Sequence, residues 1–248
     1  MTRKIIVVTA AYGHDRIRSL GGQAAVLPII AAAGADGVEI RRELLSPQDI
    51  DRLPPLATAI AHHNLLACYS APEALFTDDG SLNPRLPALL DEAHALNALW
   101  LKLSLGHFRK TDELTSLRTL LAESPVPLVI ENDQSEYGRL APMQRFLAAI
   151  DEHSLPVRLT FDMGNWIWLG ESPEQASRLL APGVDYVHVK AAEPHHAGWR
   201  AGVPDRDPRW AALLDSLPGD VPRGIEFPLE GDDLVAVTRH YVRWLREE

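Results

Sequence analysis

Four residues offer this sequence its chemistry: Glu131, Asp162, His188 and Glu226, spaced 31, 26 and 38 positions apart. Each sits in or at the end of a short apolar or β-branched run: LVIE (128–131), VRLTFD (157–162), YVHVK (186–190) and GIEF (224–227). A buried strand that ends in a metal-capable side chain is how barrel and doubly wound enzymes present reactive groups. If the four strand ends surround one opening, three carboxylates and an imidazole meet there. Such carboxylates repel one another unless a cation neutralises them. Imidazole with oxygen donors suits Mn²⁺, Mg²⁺, Co²⁺ or a borderline Zn²⁺ site. Singly, each residue has a plainer explanation: Asp162 as a turn former before Gly164-Asn165, His188 as a satisfied core histidine, the glutamates as halves of ion pairs. Only the set of four at successive strand ends argues for a ligand shell.

The elements that must position these residues follow from the pattern of apolar runs. Eight runs read as strands: Lys4–Thr9, Gly37–Arg41, Leu65–Tyr69, Leu99–Leu105, Leu128–Glu131, Val157–Asp162, Tyr186–Lys190 and Gly224–Phe227. Helical patterns alternate with them, at Leu20–Ala33, Pro84–Leu96, Leu114–Ala122, Gln144–Glu152, Pro173–Leu180, Trp210–Leu217 and Leu234–Leu245, with further helical and turn signals over 46–61. The clearest boundaries flank Pro173–Leu180. Ser172 stands at its N-cap, Pro173 at its first position, and Ala181-Pro-Gly follows it. Strand–helix alternation over 248 residues with no evident linker predicts one α/β domain spanning 1–248, a (β/α)₈ TIM barrel. An open doubly wound sheet is the competing architecture. A Rossmann dinucleotide site is not expected, because the first strand runs into Ala10-Ala-Tyr-Gly without a glycine fingerprint.

Composition narrows the function. A formal charge of -10 disfavours nucleic acid, which demands concentrated positive potential. It leaves a small sugar or sugar acid open as substrate. No run approaches the roughly 18 apolar residues of a membrane span. The N-terminal apolar run is too short for a secretion signal, so a cytoplasmic location is expected. Cys68 is the single cysteine and lies in an apolar run, which reads as a buried, inert thiol.

The segments ADGVEIRREL (35–44), VIEND (129–133), TFDMGN (160–165), YVHVKA (186–191) and GIEFPL (224–229) resemble the sugar phosphate isomerase/epimerase family, the xylose-isomerase-like barrels. The resemblance spans nearly the whole chain and is nearest to the ketose 3-epimerase and 2-ketogluconate-associated epimerase branch. It implies one divalent ion, often Mn²⁺, on the residues matching Glu131, Asp162, His188 and Glu226, with Glu131 and Glu226 as the acid/base pair. It also implies a homo-oligomer, since such barrels often form dimers or tetramers. The expected reaction inverts a carbon next to the carbonyl of a ketose or keto sugar acid through an enediolate. Aldose–ketose isomerisation on the same site is the alternative. A sugar or inositol dehydratase, an endonuclease-type phosphodiesterase and a non-catalytic sugar-binding barrel stand further off.

Two departures bear on substrate. Many relatives have D-x-G-H where this chain has Asp162-Met-Gly-Asn165, so an amide replaces a histidine that touches substrate. Asn165 can hydrogen-bond a hydroxyl but cannot act as an acid. Where many have H-x-K-D, this chain has His188-Val-Lys190-Ala191. Lys190 shares the His188 side of its strand and is a candidate for substrate oxygen or for an ion pair. Glu39, inside the second strand, is a candidate for substrate contact or for support behind the ligands. Trp166 could stack on a sugar face, as could Trp168 and Trp199. Arg200 lies in what reads as a long loop, 191–209, where a lid or an anion contact is expected.

Overall fold

The computed structural model describes residues 3–109, 113–196 and 198–247. Eight parallel strands close into a barrel: β1 (Ile5–Val8), β2 (Gly37–Arg41), β3 (Leu66–Phe76), β4 (Ala98–Gly106), β5 (Leu128–Glu131), β6 (Val157–Asp162), β7 (Val184–Val189) and β10 (Arg223–Ile225). Neighbours follow chain order, and β1 pairs with both β2 and β10 to shut the ring. Strands this apolar need cover on both faces, which helices outside and side chains inside provide. Alternation sorts the two. Ile5 and Val7 belong to the large core beneath the helices. Ile6, between them, joins Cys68 and Tyr186 in a separate cluster backed by Leu99 and Trp100, filling the barrel's interior. Cys68 is buried there, and burial pushes its thiol pKa well up, as expected of an inert cysteine.

The connection from β6 to β7 sets two of the four ligand candidates. The helix Pro173–Leu180 begins where Ser172 accepts a hydrogen bond from the Gln175 N–H at 3.2 Å, with Pro173 at its first turn. That satisfies an otherwise orphaned donor and fixes where the helix starts.

Two segments depart from expectation. Leu20–Ala33 is not one helix. The chain turns at Gly21 and Gly22, with φ of 98° and 107°, between a helix over His14–Leu20 and another over Leu27–Ala33. Left-handed backbone of this kind ends a helix and is easily adopted by glycine. The stretch 191–209 is not a plain loop. It opens with an antiparallel hairpin, β8 (Ala191–His195) with β9 (Gly198–Gly202). Glu193 faces Arg200 across it.

Candidate metal centre

Parallel pairing around the barrel brings the four strand ends into one layer. Asp162 is in register with His188, and Glu131 with Thr160 on β6. Glu226 follows β10 directly, its N–H donating to the Val189 carbonyl at 3.1 Å. One ligand atom from each of Glu131, Asp162, His188 and Glu226 lies within 4.8 Å of the others. His188 Nδ1 is 2.7 Å from Glu131 Oε1 and 3.1 Å from Glu226 Oε2.

The residues behind this shell determine how it is presented. Glu39 is fully buried inside the barrel. Its Oε2 lies 2.8 Å from His188 Nε2 and accepts a hydrogen bond from the Tyr186 hydroxyl at 2.9 Å. With Nε2–H donated to this carboxylate, Nδ1 is the nitrogen that faces the centre. Without a metal the surrounding carboxylates hold the ring protonated, and a bound cation would displace the Nδ1 proton. Asp162 is fixed comparably. Its Oδ1 accepts the N–H groups of Gly164 and Asn165 at 2.9 and 3.0 Å, and Asn132 holds its backbone through both amide atoms. Oδ2 is left to face inward.

Three cations lie against the carboxylates. Lys102 Nζ donates to Glu131 Oε2 at 2.5 Å. Lys190 Nζ sits 2.7 Å from Asp162 Oδ2 and 3.0 Å from Glu226 Oε2. Arg41 donates to Glu226 Oε1 at 2.7 Å. Burial opposes ionisation of Glu131, yet Lys102 and His188 outweigh it and bring its pKa down to about 2. Burial likewise opposes ionisation of Glu226, and Lys190, His188 and Arg41 hold it well below the carboxylate range. Asp162 goes the other way. Burial, reinforced by Glu226 and Glu131 against the pull of Lys190, raises it to about 7.

The donor set fits a divalent cation. Glu131 Oε1, Asp162 Oδ2 and His188 Nδ1 are buried without an aligned hydrogen bond, and these same atoms point at one centre. Carboxylates crowded this closely are costly unless cations meet them, and a hard or borderline metal ion accepts this mixture of oxygen and imidazole nitrogen. Cys68 is not among the four converging ligand atoms; it packs in the interior cluster with Ile6 and Tyr186, in register with Glu39.

The remaining sequence candidates divide. Glu39 and Lys190 are at the centre. Asn165 is near it but occupied: its amide donates to the Asn132 carbonyl at 2.9 Å and accepts from Gln134 at 3.1 Å. It therefore braces the loop that carries Asp162. Trp166 does not reach an open surface. It is fully buried, 5.5 Å from the Phe161 ring, because its indole fills core space behind β6. Trp168 instead lies beside the site, with Lys190 Nζ 5.9 Å from its ring centroid. Arg200 is on β9 in the hairpin and pairs there with Glu193 at 3.0 Å. Arg41, Asn132 and Tyr186 were not singled out by sequence. Arg41 ends a strand whose Glu39 was noted, and the i, i+2 rule applied there, as it was to Lys190, would have found it.

No protein-family model matches the chain, and no curated protein matches it either. Solved structures do match, across nearly its full length. D-allulose 3-epimerase from Methylomonas sp. superposes with a TM-score of 0.69 at 18% identity, covering 100% of this chain and 98% of that one. The 3-keto-D-glucoside 4-epimerase YcjR of E. coli gives 0.65 at 16%, covering 99% and 100%. The probable 3-DHS dehydratase AsbF of Bacillus anthracis gives 0.68 at 14%, covering 98% of each. The chain shares the closed (β/α)₈ TIM-barrel fold of these proteins, and sugar epimerases are prominent among its structural neighbours.

Proposed function

We propose that this protein is a divalent-metal-dependent epimerase that inverts a carbon adjacent to the carbonyl of a ketose or keto sugar acid. The observation that carries the proposal is the placement of Glu131 and Glu226. Each presents one carboxylate oxygen to the same imidazole nitrogen while a lysine or arginine grips another. Epimer-forming neighbours on the same fold support it.

A divalent ion on Glu131, Asp162, His188 and Glu226, Mn²⁺ foremost, would supply Lewis acidity that makes the proton next to the carbonyl removable. The protein's own residues do the rest. With their pKa values held low, Glu131 and Glu226 are both ionised near neutrality, the state a general base needs. One takes the proton from the carbon, leaving a planar enediolate. The other relays a proton from the ammonium it contacts, Lys102 for Glu131 or Lys190 for Glu226, to the opposite face, and the centre inverts. Exchange with solvent reprotonates the lysine and clears the proton the first glutamate gained. Lys190 and Lys102, as fixed donors beside the glutamates, orient hydroxyl oxygens and stabilise negative charge as it develops. The closed barrel around them limits competing water.

Proton NMR in D₂O tests this directly, with Mn²⁺-loaded protein and a panel of ketoses, phosphorylated ketoses and 2-keto sugar acids. Deuterium should enter next to the carbonyl with inversion. Glu131→Gln and Glu226→Gln should each slow exchange by at least about 100-fold, the scale of a lost general acid or base. Deuterium at the neighbouring carbon with an aldose product would instead mean isomerisation, and a dehydrated product would mean lyase chemistry. Absence of exchange across the panel would overturn the assignment.

A further inference from the structure

A cavity adjoins the metal centre at Glu226. Beyond Glu226 the chain runs through Phe227 and Pro228 to Glu230, and these residues line a cavity of about 230 Å³ with the Ala10–Gly13 segment that follows β1. Ala201, Pro228 and Glu230 are shared with a second cavity of about 470 Å³, bounded by the β8–β9 hairpin on one side and by Val237 and Tyr241 of the C-terminal helix on the other. A continuous wall therefore leads from a reacting carboxylate into a larger space. Pockets for drug-sized ligands run from about 300 to 1,000 Å³, so the inner cavity alone is small and the outer one adds room for a whole further group.

That outer space is built rather than left over. The hairpin register sets Glu193 opposite Arg200, and their side chains pair at 3.0 Å. Glu193 lies flat over Gly202, where a Cβ would come within 2.3 Å of its carboxyl carbon. Glycine at 202 thus allows this wall to form. The chemistry of the lining is also one-sided. Glu193 and Arg200 neutralise one another, which leaves the Glu230 carboxylate as the net charge of the lining. Phosphate or carboxylate on a substrate would meet like charge, whereas sugar hydroxyls can donate to carboxylates. Tyr241, Pro228, Val203 and Val237 supply apolar surface suited to the face of a sugar ring.

Resting on the epimerase reading above, we propose that the substrate is a keto sugar bearing an uncharged hydroxylated substituent, a glycosidically linked second ring, which occupies the cavity between the hairpin and the C-terminal helix. The reacting sugar lies over Glu131 and Glu226, and the second ring lies between Val203, Val237 and Tyr241.

The test compares fructose, fructose 6-phosphate, isomaltulose and lactulose on the Mn²⁺-loaded full chain, by calorimetric binding and by exchange in D₂O. At least one disaccharide should bind ten-fold or more tightly than fructose, and fructose 6-phosphate no better than fructose. Val237→Trp, which fills the outer cavity, should remove the disaccharide preference. Glu230→Lys, at an exposed position that tolerates substitution, should shift preference towards the phosphate. Equal binding of fructose and both disaccharides, or preference of the parent protein for the phosphate, overturns the inference. Exchange on fructose with no disaccharide preference would sink it alone. Disaccharide binding without exchange on any sugar would sustain the cavity assignment and sink the epimerase instead.

Discussion

The orientation of a single imidazole shows how much of this site lies behind its ligands. His188 can present Nδ1 to a cation only while Nε2 is engaged, and Glu39 engages it from inside the barrel. The Lys102 ammonium at 3.9 Å and His188 itself keep Glu39 ionised against its complete burial. Glu39→Gln should therefore weaken Mn²⁺ binding by about 10- to 100-fold, the usual consequence of losing such a supporting carboxylate. Competition with a chromophoric chelator would measure it. Tyr186→Phe removes one of two hydrogen bonds to the same oxygen and should cost less. Unchanged metal affinity in Glu39→Gln would mean that packing alone orients the ring. At this scale the sequence was informative where a polar residue interrupted an apolar run, as Glu131, Asp162, His188 and Glu226 do. It was uninformative about Asn165 and Trp166, because whether an amide or an indole faces a ligand or the core depends on neighbours such as Asn132 and Phe161 that are distant in the chain or on the other side of a strand.

Among the elements, β10 is the shortest in the barrel, and its middle residue explains how the interior fits together. Gly224 is in register with both Ile6 and His188. A Cβ there would lie 2.2 Å from the Tyr186 hydroxyl and 3.0 Å from His188 Cδ2. The absent side chain is what lets Tyr186 reach Glu39 past β10. Gly224→Ala should destabilise the fold by about 1–3 kcal/mol through overpacking, read by urea denaturation, and should lower metal affinity by shifting the ring. A stability change below about 0.5 kcal/mol would show that the interior can relax around the methyl group. The hairpin teaches the opposite lesson about legibility. Its strands are short and rich in Ala and Gly, with polar residues scattered among them, so neither period nor hydrophobicity marks them, and 191–209 read as loop. The helix Pro173–Leu180 was legible to the residue, because Ser172 and Pro173 encode its start by local geometry alone.

For the molecule as a whole, closure of the barrel is what makes one site of four residues spread over 95 positions, from Glu131 to Glu226. It gathers buried like charges into one place, and a cation that binds only this arrangement must stabilise the fold. At a concentration of about 100 times its dissociation constant, such an ion adds about 2.7 kcal/mol. For a chain of this size each kcal/mol is worth about 2–4 °C. Mn²⁺ should thus raise Tm by about 5–10 °C over the EDTA-treated protein, and Asp162→Asn should lose most of that rise in the same scan. A melting temperature indifferent to every divalent ion would remove the basis for the metal centre.

By itself, the sequence determined the alternation of strands and helices, the strand ends on which the four ligand candidates sit, and the net acidity of the chain. These are local properties: periodicity, capping and charge act between near neighbours and are written in order along the chain. Tertiary structure alone decided that Arg41 and Lys102 grip the two glutamates, that Asn165 and Trp166 serve the scaffold, and that the hairpin and the last helix enclose a second cavity. Those outcomes depend on which side chains meet across the barrel after closure, where burial and the field of distant charges set both their partners and their protonation.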